Sequence, residues 1–356
     1  EAAAALAEPG AAEPTPLRSH GHWMMKGVEA PVELFELEAA DAPLQAPTDG
    51  DKAYRVVRDD ERWLPVREIP NNLPLHAARL IGRHQELHDI KAVLGRSRLV
   101  TLLGMGGMGK TRLALQAASE LVHTFPEGVW FLDLAPISDP AMVVTEAAQV
   151  LGVRDEPERS LMQSVCAHLQ SRRVLMVLDN CEHLIQAVAE LAHAIVKAAP
   201  KVRLLSSSRE SLRVPGEQNV PIAPLSVPRA GDGVSALRDC AAVRLFIDRA
   251  QAQQPAFALT EANAAAVGAL VARLEGIPLA LELAAARIRL MSVADINRRL
   301  DDRYKVLTGG ARTLQQRQQT LRALVDWSYD LLPDAEKTLL CRLAVFRGGF
   351  DMDAAE

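Results

Sequence analysis

Arg98-Leu99-Val100-Thr101-Leu102-Leu103-Gly104-Met105-Gly106-Gly107-Met108-Gly109-Lys110-Thr111 is the stretch that decides how this 356-residue chain is read. Residues 98–103 form a short apolar run bounded by glycine, which reads as a strand buried on both faces. Gly104 to Thr111 then matches G-x-x-x-x-G-K-[ST], and a helical pattern follows over 111–122. Each residue type has a chemical reason. Gly104, Gly106, Gly107 and Gly109, with Met108 between them, let the backbone curl and aim N–H groups at phosphate oxygens. The helix that follows adds the positive end of its dipole at the same place. Lys110 carries a mobile cation to the β- and γ-phosphates, and the Thr111 hydroxyl suits Mg²⁺. A chain of this length meets the pattern by chance with a probability of roughly 1 %. The loop therefore predicts a nucleoside triphosphate site, with ATP/ADP and Mg²⁺ as the expected ligands.

Outward from the loop, strand-like runs at 128–134, 173–178, 202–206 and 220–225 alternate with helical segments such as 140–151 and 184–198. That alternation predicts an α/β fold with a parallel sheet, a P-loop NTPase domain over 73–232. From about 236 the helical period takes over, at 235–251, 260–274 and 279–290, and predicts a helical domain over 233–312. Residues 320–332 keep that period, and Pro333-Asp334-Ala335-Glu336 resembles a helix start with Asp334 as N-cap. On the other side, 22–38 holds two strand-like pieces around a Gly27-to-Pro31 turn. Residues 39–72, rich in Asp, Pro and Gly, read as a linker.

Two charged residues stand where a phosphate or metal site needs them. The run 173–178 ends in Asp179, the position from which an acid reaches Mg²⁺ directly or through water; helix N-capping is the competing reading. Arg209 follows the run 202–206, where a guanidinium could report a γ-phosphate; pairing with Glu210 is the alternative. Asn180 and Glu182 lie close enough to Asp179 to position an attacking water, or to serve as caps and surface groups. Lys110, Asp179 and Arg209 are the expected catalytic set, and Thr111 and Asp179 the metal set.

Composition narrows the classes further. With 40 Lys and Arg against 45 Asp and Glu, a net charge of −5 gives no global signature of nucleic-acid binding. The four cysteines, Cys166, Cys181, Cys240 and Cys341, form no metal-type pair or disulfide framework, and a reducing cytoplasm fits them. His84, His88 and His183 have no metal-set spacing. No apolar run reaches the roughly 18 residues of a membrane helix. The Ala- and Glu-rich start lacks a basic signal-peptide region. The start at Glu1 and the stop at Glu356 read as an excerpt of a longer protein. No N-K-x-D base reader follows the strands, which disfavours guanine.

Taken together, the motifs resemble the signal-transducing ATPases with numerous domains (STAND), of which the NB-ARC proteins are a branch. The resemblance covers about 71–356. It rests on Ile81-Gly82-Arg83, the P-loop with Thr111-Arg112-Leu113-Ala114, Leu178-Asp179-Asn180-Cys181-Glu182-His183-Leu184, Ser207-Ser208-Arg209-Glu210, Glu275-Gly276-Ile277-Pro278-Leu279-Ala280-Leu281 and Asp326-Trp327-Ser328-Tyr329. It implies that Arg83 contacts the nucleotide on its adenine side, although the family usually has an acid where His84 stands. It also implies that Arg112 belongs to the nucleotide set, that Arg209 is the sensor arginine, and that Pro278 packs on adenine. Residues 313–356 look like the start of a winged-helix domain, with Trp327, Tyr329, Leu331, Leu332, Leu340 and Phe346 as its core. The His-Asp pair common near the end of that domain does not occur before Glu356. Residues 21–28 and 31–35 are similar to the last strands of class III adenylate/guanylate cyclase domains, so 1–38 reads as the C-terminal remnant of one, without its metal-binding aspartates. The family's behaviour implies a slow ATPase switch: ADP-closed, ATP-open and self-associating, answering an upstream signal. A winged helix that contacts DNA directly, or a regulatory part of a cyclase, are the alternatives.

Overall fold

The computed structural model describes residues 17–37, 49–50, 52–59, 62–66, 69–74, 80–156, 158–229, 231–307, 329 and 332–346. Its centre is a five-stranded parallel sheet of β5 (Leu99–Leu103), β6 (Val129–Asp133), β7 (Leu175–Asp179), β8 (Arg203–Ser208) and β9 (Glu217–Pro221), in the order β6-β7-β8-β5-β9. β8 thus lies between the strand that leads into the phosphate loop and the strand that ends in Asp179. The C-terminal ends of the three strands open on one place.

Period-two alternation explains why these strands read as unbroken apolar runs. Val100, Leu102, Leu175, Val177 and Leu205 face one core, and Leu99, Met176, Leu178 and Leu204 the other. The first core takes in α1 (His84–Arg96) and α2 (Lys110–Leu121) and runs on into α6 (Val234–Asp239), α7 (Ala241–Gln253), α8 (Glu261–Arg273), α9 (Pro278–Ala285) and α10 (Val293–Leu307). The second takes in α3 (Met142–Leu151), α4 (Leu161–Leu169) and α5 (Ile185–Ala198). The helical layer is therefore not an appendage: Phe246, Leu270, Leu274 and Leu281 share one buried cluster with the P-loop helix.

Several expectations change in detail. The helix expected over 235–251 is broken at Cys240, which is extended (φ −69°, ψ 123°) while Ala242 N–H donates to Ser226 O at 3.3 Å. The helix expected over 279–290 starts at Pro278 and ends at Ala285, and turns follow. α4 escaped the strand-and-helix reading, yet its start is written in a capping box in which Ser160 and Gln163 bond each other's backbone N–H.

The N-terminal part departs most. β1 (Leu17–Met25) and β2 (Val32–Leu37) form the expected hairpin, but the stretch read as a linker supplies β3 (Ala53–Asp59) and β4 (Arg62–Pro65). The four make an antiparallel sheet in the order β2-β1-β3-β4. The linker reading fails because β3 mixes charged and apolar residues without a clean period, so its mean polarity hides a strand around the buried Val56. β3 lies against the 3-10 turn Val122–Thr124 that ends the P-loop helix. Asn71 and Asn72 line the edge of β6, where Asn72 exchanges two hydrogen bonds with the Phe131 backbone at 2.6 and 2.9 Å.

Of the expected winged helix, Trp327, Leu331 and most of 308–331 lie outside the described residues. α11 (Asp334–Leu343) starts with Pro333 rather than Asp334 as N-cap. Leu340 and Phe346, expected in its core, are 48 % and 39 % exposed; a short helix shields a side chain only through a partner element. Among the described residues, no helix is long and apolar enough to cross a membrane.

Candidate nucleotide site

The phosphate loop runs from the end of β5 to the first turn of α2. Gly107 and Gly109 have φ +80° and +83°, left-handed values that cost a side chain but not glycine. Gly104 has no room for a side chain, since a Cβ there would stand 3.0 Å from Ile222 O. Lys110 is 8 % exposed, and its ammonium donates to Gly104 O at 2.7 Å and Met105 O at 3.1 Å. Burial lowers its pKa, the Glu182 carboxylate opposes that shift, Arg209 adds to it and Asp179 opposes it.

Thr111 and Asp179 are joined across the strand ends. The Thr111 hydroxyl lies 2.9 Å from each carboxylate oxygen of Asp179. Burial raises the Asp179 pKa; hydrogen bonds from Ser207 and Thr111 oppose the rise, Asp133 adds to it and Lys110 opposes it. Ser207, which had no assigned role, sits at the end of β8, donates to Asp179 Oδ1 and accepts from Asn180 N–H at 3.2 Å. Only the strand order reveals it, because β8 is what separates β5 from β7. Asn180 takes φ +62°, which asparagine tolerates better than most side chains and which turns the chain sharply after the acid.

The donor set fits a small hard cation. A hydroxyl and a carboxylate already converge at 2.9 Å, and Mg²⁺ is commonly held by one or two protein oxygens, phosphate oxygens and waters. Among the described residues, no group of three or more His, Cys, Asp or Glu could hold a metal without such help. Cys181, beside the site, is a structural residue: it is fully buried, its thiol donates to Leu178 O at 3.3 Å, and burial pushes its pKa up.

Arg209 pairs with Glu182, not with its neighbour Glu210: Arg209 Nε stands 2.9 Å from Glu182 Oε1. Arg83 is buried behind the loop. It donates to Glu86 at 2.5 Å, to Met108 O at 3.3 Å and to Ala223 O at 2.8 Å, so it ties the loop to the chain leaving β9. The acid that the motif lacks at His84 comes two residues later, from Glu86, one helical turn on from Arg83 itself. Pro278 is the first residue of α9. Beside it, Leu279 N–H donates to Gly107 O at 3.2 Å, and a Cβ on Gly107 would stand 3.1 Å from Leu279 Cβ. Arg112 also reaches the helical layer, through Glu282 on α9 at 2.9 Å.

Comparison with known proteins follows the same lines. The NB-ARC domain model matches residues 83–210, from the buried Arg83 to two residues past β8. An uncharacterised protein of Mycobacterium tuberculosis is 39 % identical over 291 residues, spanning 82 % of this chain and 71 % of its own length. The chain belongs to the NB-ARC family. A second relative of this NB-ARC chain, named "Putative HTH-type transcriptional regulator", also from M. tuberculosis, is 46 % identical over 265 residues. The match takes in 74 % of the chain but only 29 % of that regulator's length. Among solved structures, a signal transduction ATPase with numerous domains and a tetratricopeptide repeat sensor, from Pyrococcus horikoshii, superposes with a TM-score of 0.49 at 15 % identity, over 81 % of this chain and 38 % of that one.

Proposed function

We propose that this NB-ARC chain is a cytoplasmic nucleotide-operated switch: it binds ATP or ADP with Mg²⁺, hydrolyses ATP slowly, and passes the nucleotide state to a transcriptional or signalling output by opening and self-association. The observation that carries this reading is the double attachment of the helical layer, to the phosphate loop by Leu279 N–H to Gly107 O and to the loop helix by Glu282 to Arg112. A loop that moves with its nucleotide would move α9 with it, and a two-state arrangement needs such a joint.

The roles that this reading assigns are these. Gly104, Gly106, Gly107, Met108 and Gly109 cradle the phosphates, Lys110 neutralises them, and Thr111 and Asp179 hold the metal. The metal, when bound, draws charge from the phosphate oxygens. Arg209 reads the γ-phosphate, and Pro278 borders the base. Arg83 supports the loop through Met108 and reaches the nucleotide side only from there; Arg112 connects the loop helix to α9. In this reading the chain divides into a P-loop NTPase domain over 73–232, a helical domain over 233–312 and a winged-helix start over 313–356, after a cyclase-like remnant over 1–38. The relative named as a transcriptional regulator favours transcription as the output.

The test is the identity of the nucleotide that co-purifies with the chain, read by ion-exchange chromatography after denaturation. Near-stoichiometric ADP supports a closed resting switch limited by exchange. An empty site with fast ATP turnover would sink the switch and leave an ordinary ATPase.

A further inference from the structure

We propose, resting on the switch reading above, that the Glu182 carboxylate is the general base that takes the proton of the attacking water, and that Arg209 holds it out of that role until a γ-phosphate draws the guanidinium away. Glu182 stands on the short turn Cys181–His183, directly after β7 and Asp179, so its backbone is fixed by the strand end that carries the metal-side acid. Its Oε1 is held by Arg209 Nε at 2.9 Å. Its Oε2 is buried and takes no hydrogen bond from any described residue. A half-satisfied buried carboxylate is costly in a static structure and is expected of a group with a second partner. Glu182 is also the foremost carboxylate acting on Lys110, which puts it in electrostatic reach of the phosphate lysine.

The pair is asymmetric. The Arg209 side chain is 62 % exposed and that of Glu182 19 %, so the arginine is the partner free to swing. Its guanidinium passes 3.7 Å from where a Cβ on Gly106 would stand, above the phosphate loop. From one position it can therefore face either Glu182 or the terminal phosphate on the loop. A γ-phosphate pairs with a guanidinium as a carboxylate does but carries more negative charge, so it wins the guanidinium. Glu182 is then released with both oxygens open. As the water oxygen bonds to the γ-phosphorus, the bond from that phosphorus to the β–γ bridging oxygen breaks. Its electron pair leaves with ADP, and the water's proton passes to the Glu182 carboxylate. ADP has no γ-phosphate to compete for Arg209, so the acid is clamped again.

The experiment compares Kd for ATP and for ADP, by titration calorimetry with Mg²⁺, in the wild-type chain, Glu182→Gln, Arg209→Ala and the double variant, alongside single-turnover hydrolysis. Glu182→Gln keeps the side-chain shape. It is expected to tighten ATP about 5-fold with ADP changed by less than about 2-fold, and to slow hydrolysis about 100-fold. Arg209→Ala is expected to weaken ATP binding about 10-fold or more through its charge-assisted bonds to the γ-phosphate. In the Arg209→Ala background, Glu182→Gln should no longer change ATP affinity, because the competition it relieves is gone. Equal shifts for ATP and ADP, or an ATP effect that persists without Arg209, would overturn the clamp while leaving the switch standing. A wild-type chain that binds neither nucleotide would instead remove the reading on which the clamp rests.

Discussion

Arg112 and Glu282 meet at 2.9 Å across the gap between the P-loop helix and α9, and Glu282 accepts from Arg249 of α7 at 3.0 Å through the same oxygen. One carboxylate oxygen thus gathers three elements. Arg112 lies two residues past Lys110, so a displacement of the loop reaches the helical layer within one helical turn. Partly exposed ion pairs of this kind contribute modestly to stability, about 0.5–1 kcal/mol each. Their effect on geometry is larger than that, because they fix where α9 stands.

Glu282→Ala should therefore loosen the joint more than it unfolds the chain. It leaves two guanidinium groups facing each other and is expected to cost about 1–2 kcal/mol. The sharper readout is hydrogen exchange: amides of 278–285 should exchange faster, with those of β5 and β7 unchanged. Equal acceleration in the sheet would mean a general loss of stability and no joint.

Lys110→Ala should weaken ATP and ADP binding together, by about 10- to 100-fold, because a buried charge-assisted contact to the phosphates is removed. Titration calorimetry checks it. Unchanged affinity for ATP would end the nucleotide assignment of the loop.

Gly276→Ala should be strongly destabilising for two separate reasons. The residue has φ +66°, and a Cβ there would stand 2.1 Å from Leu225 O, a backbone atom that is itself tied down because Leu225 N–H donates to Gly276 O at 2.9 Å. Overpacking and left-handed strain add to about 2–4 kcal/mol. A thermal melt should show the drop, whereas Gly216→Ala, with φ +84° but nothing within 4 Å, should cost only the conformational part.

His123 sets a pH dependence. Burial, then Arg55 and Lys91, hold its pKa down to about 4, while Glu120 opposes them. Folded His123 therefore binds its proton less readily than the unfolded chain, where the value is near 6.5. Stability should fall as pH drops from about 6.5 toward 4, by about 2 kcal/mol after allowance for partial exposure. Urea midpoints at neutral and acid pH measure this, and His123→Gln should flatten the difference. An unaltered slope in that variant would assign the acid sensitivity to other groups.

Some of this molecule was legible in the amino-acid order. The phosphate loop, Asp179 after an apolar run, Arg209 after the next and Pro278 at a helix start are local patterns. Backbone geometry and side-chain chemistry constrain them within a few residues, and strands covered on both faces announce themselves as unbroken apolar runs. The tertiary structure alone decided which of these residues meet. That β8 stands between β5 and β7, and so brings Ser207 to Asp179, depends on crossovers of tens of residues that no local period encodes. Arg209 finds Glu182 and not the adjacent Glu210 because β7 and β8 are neighbouring parallel strands, so the segments that follow them lie side by side. The strands β3 and β4 are illegible for a related reason: Arg55, Arg58 and Asp59 around Val56 and Val57 read as a polar linker until antiparallel partners pair their backbone. Sequence determines which groups are available; distance in the folded chain determines which of them can act on one another.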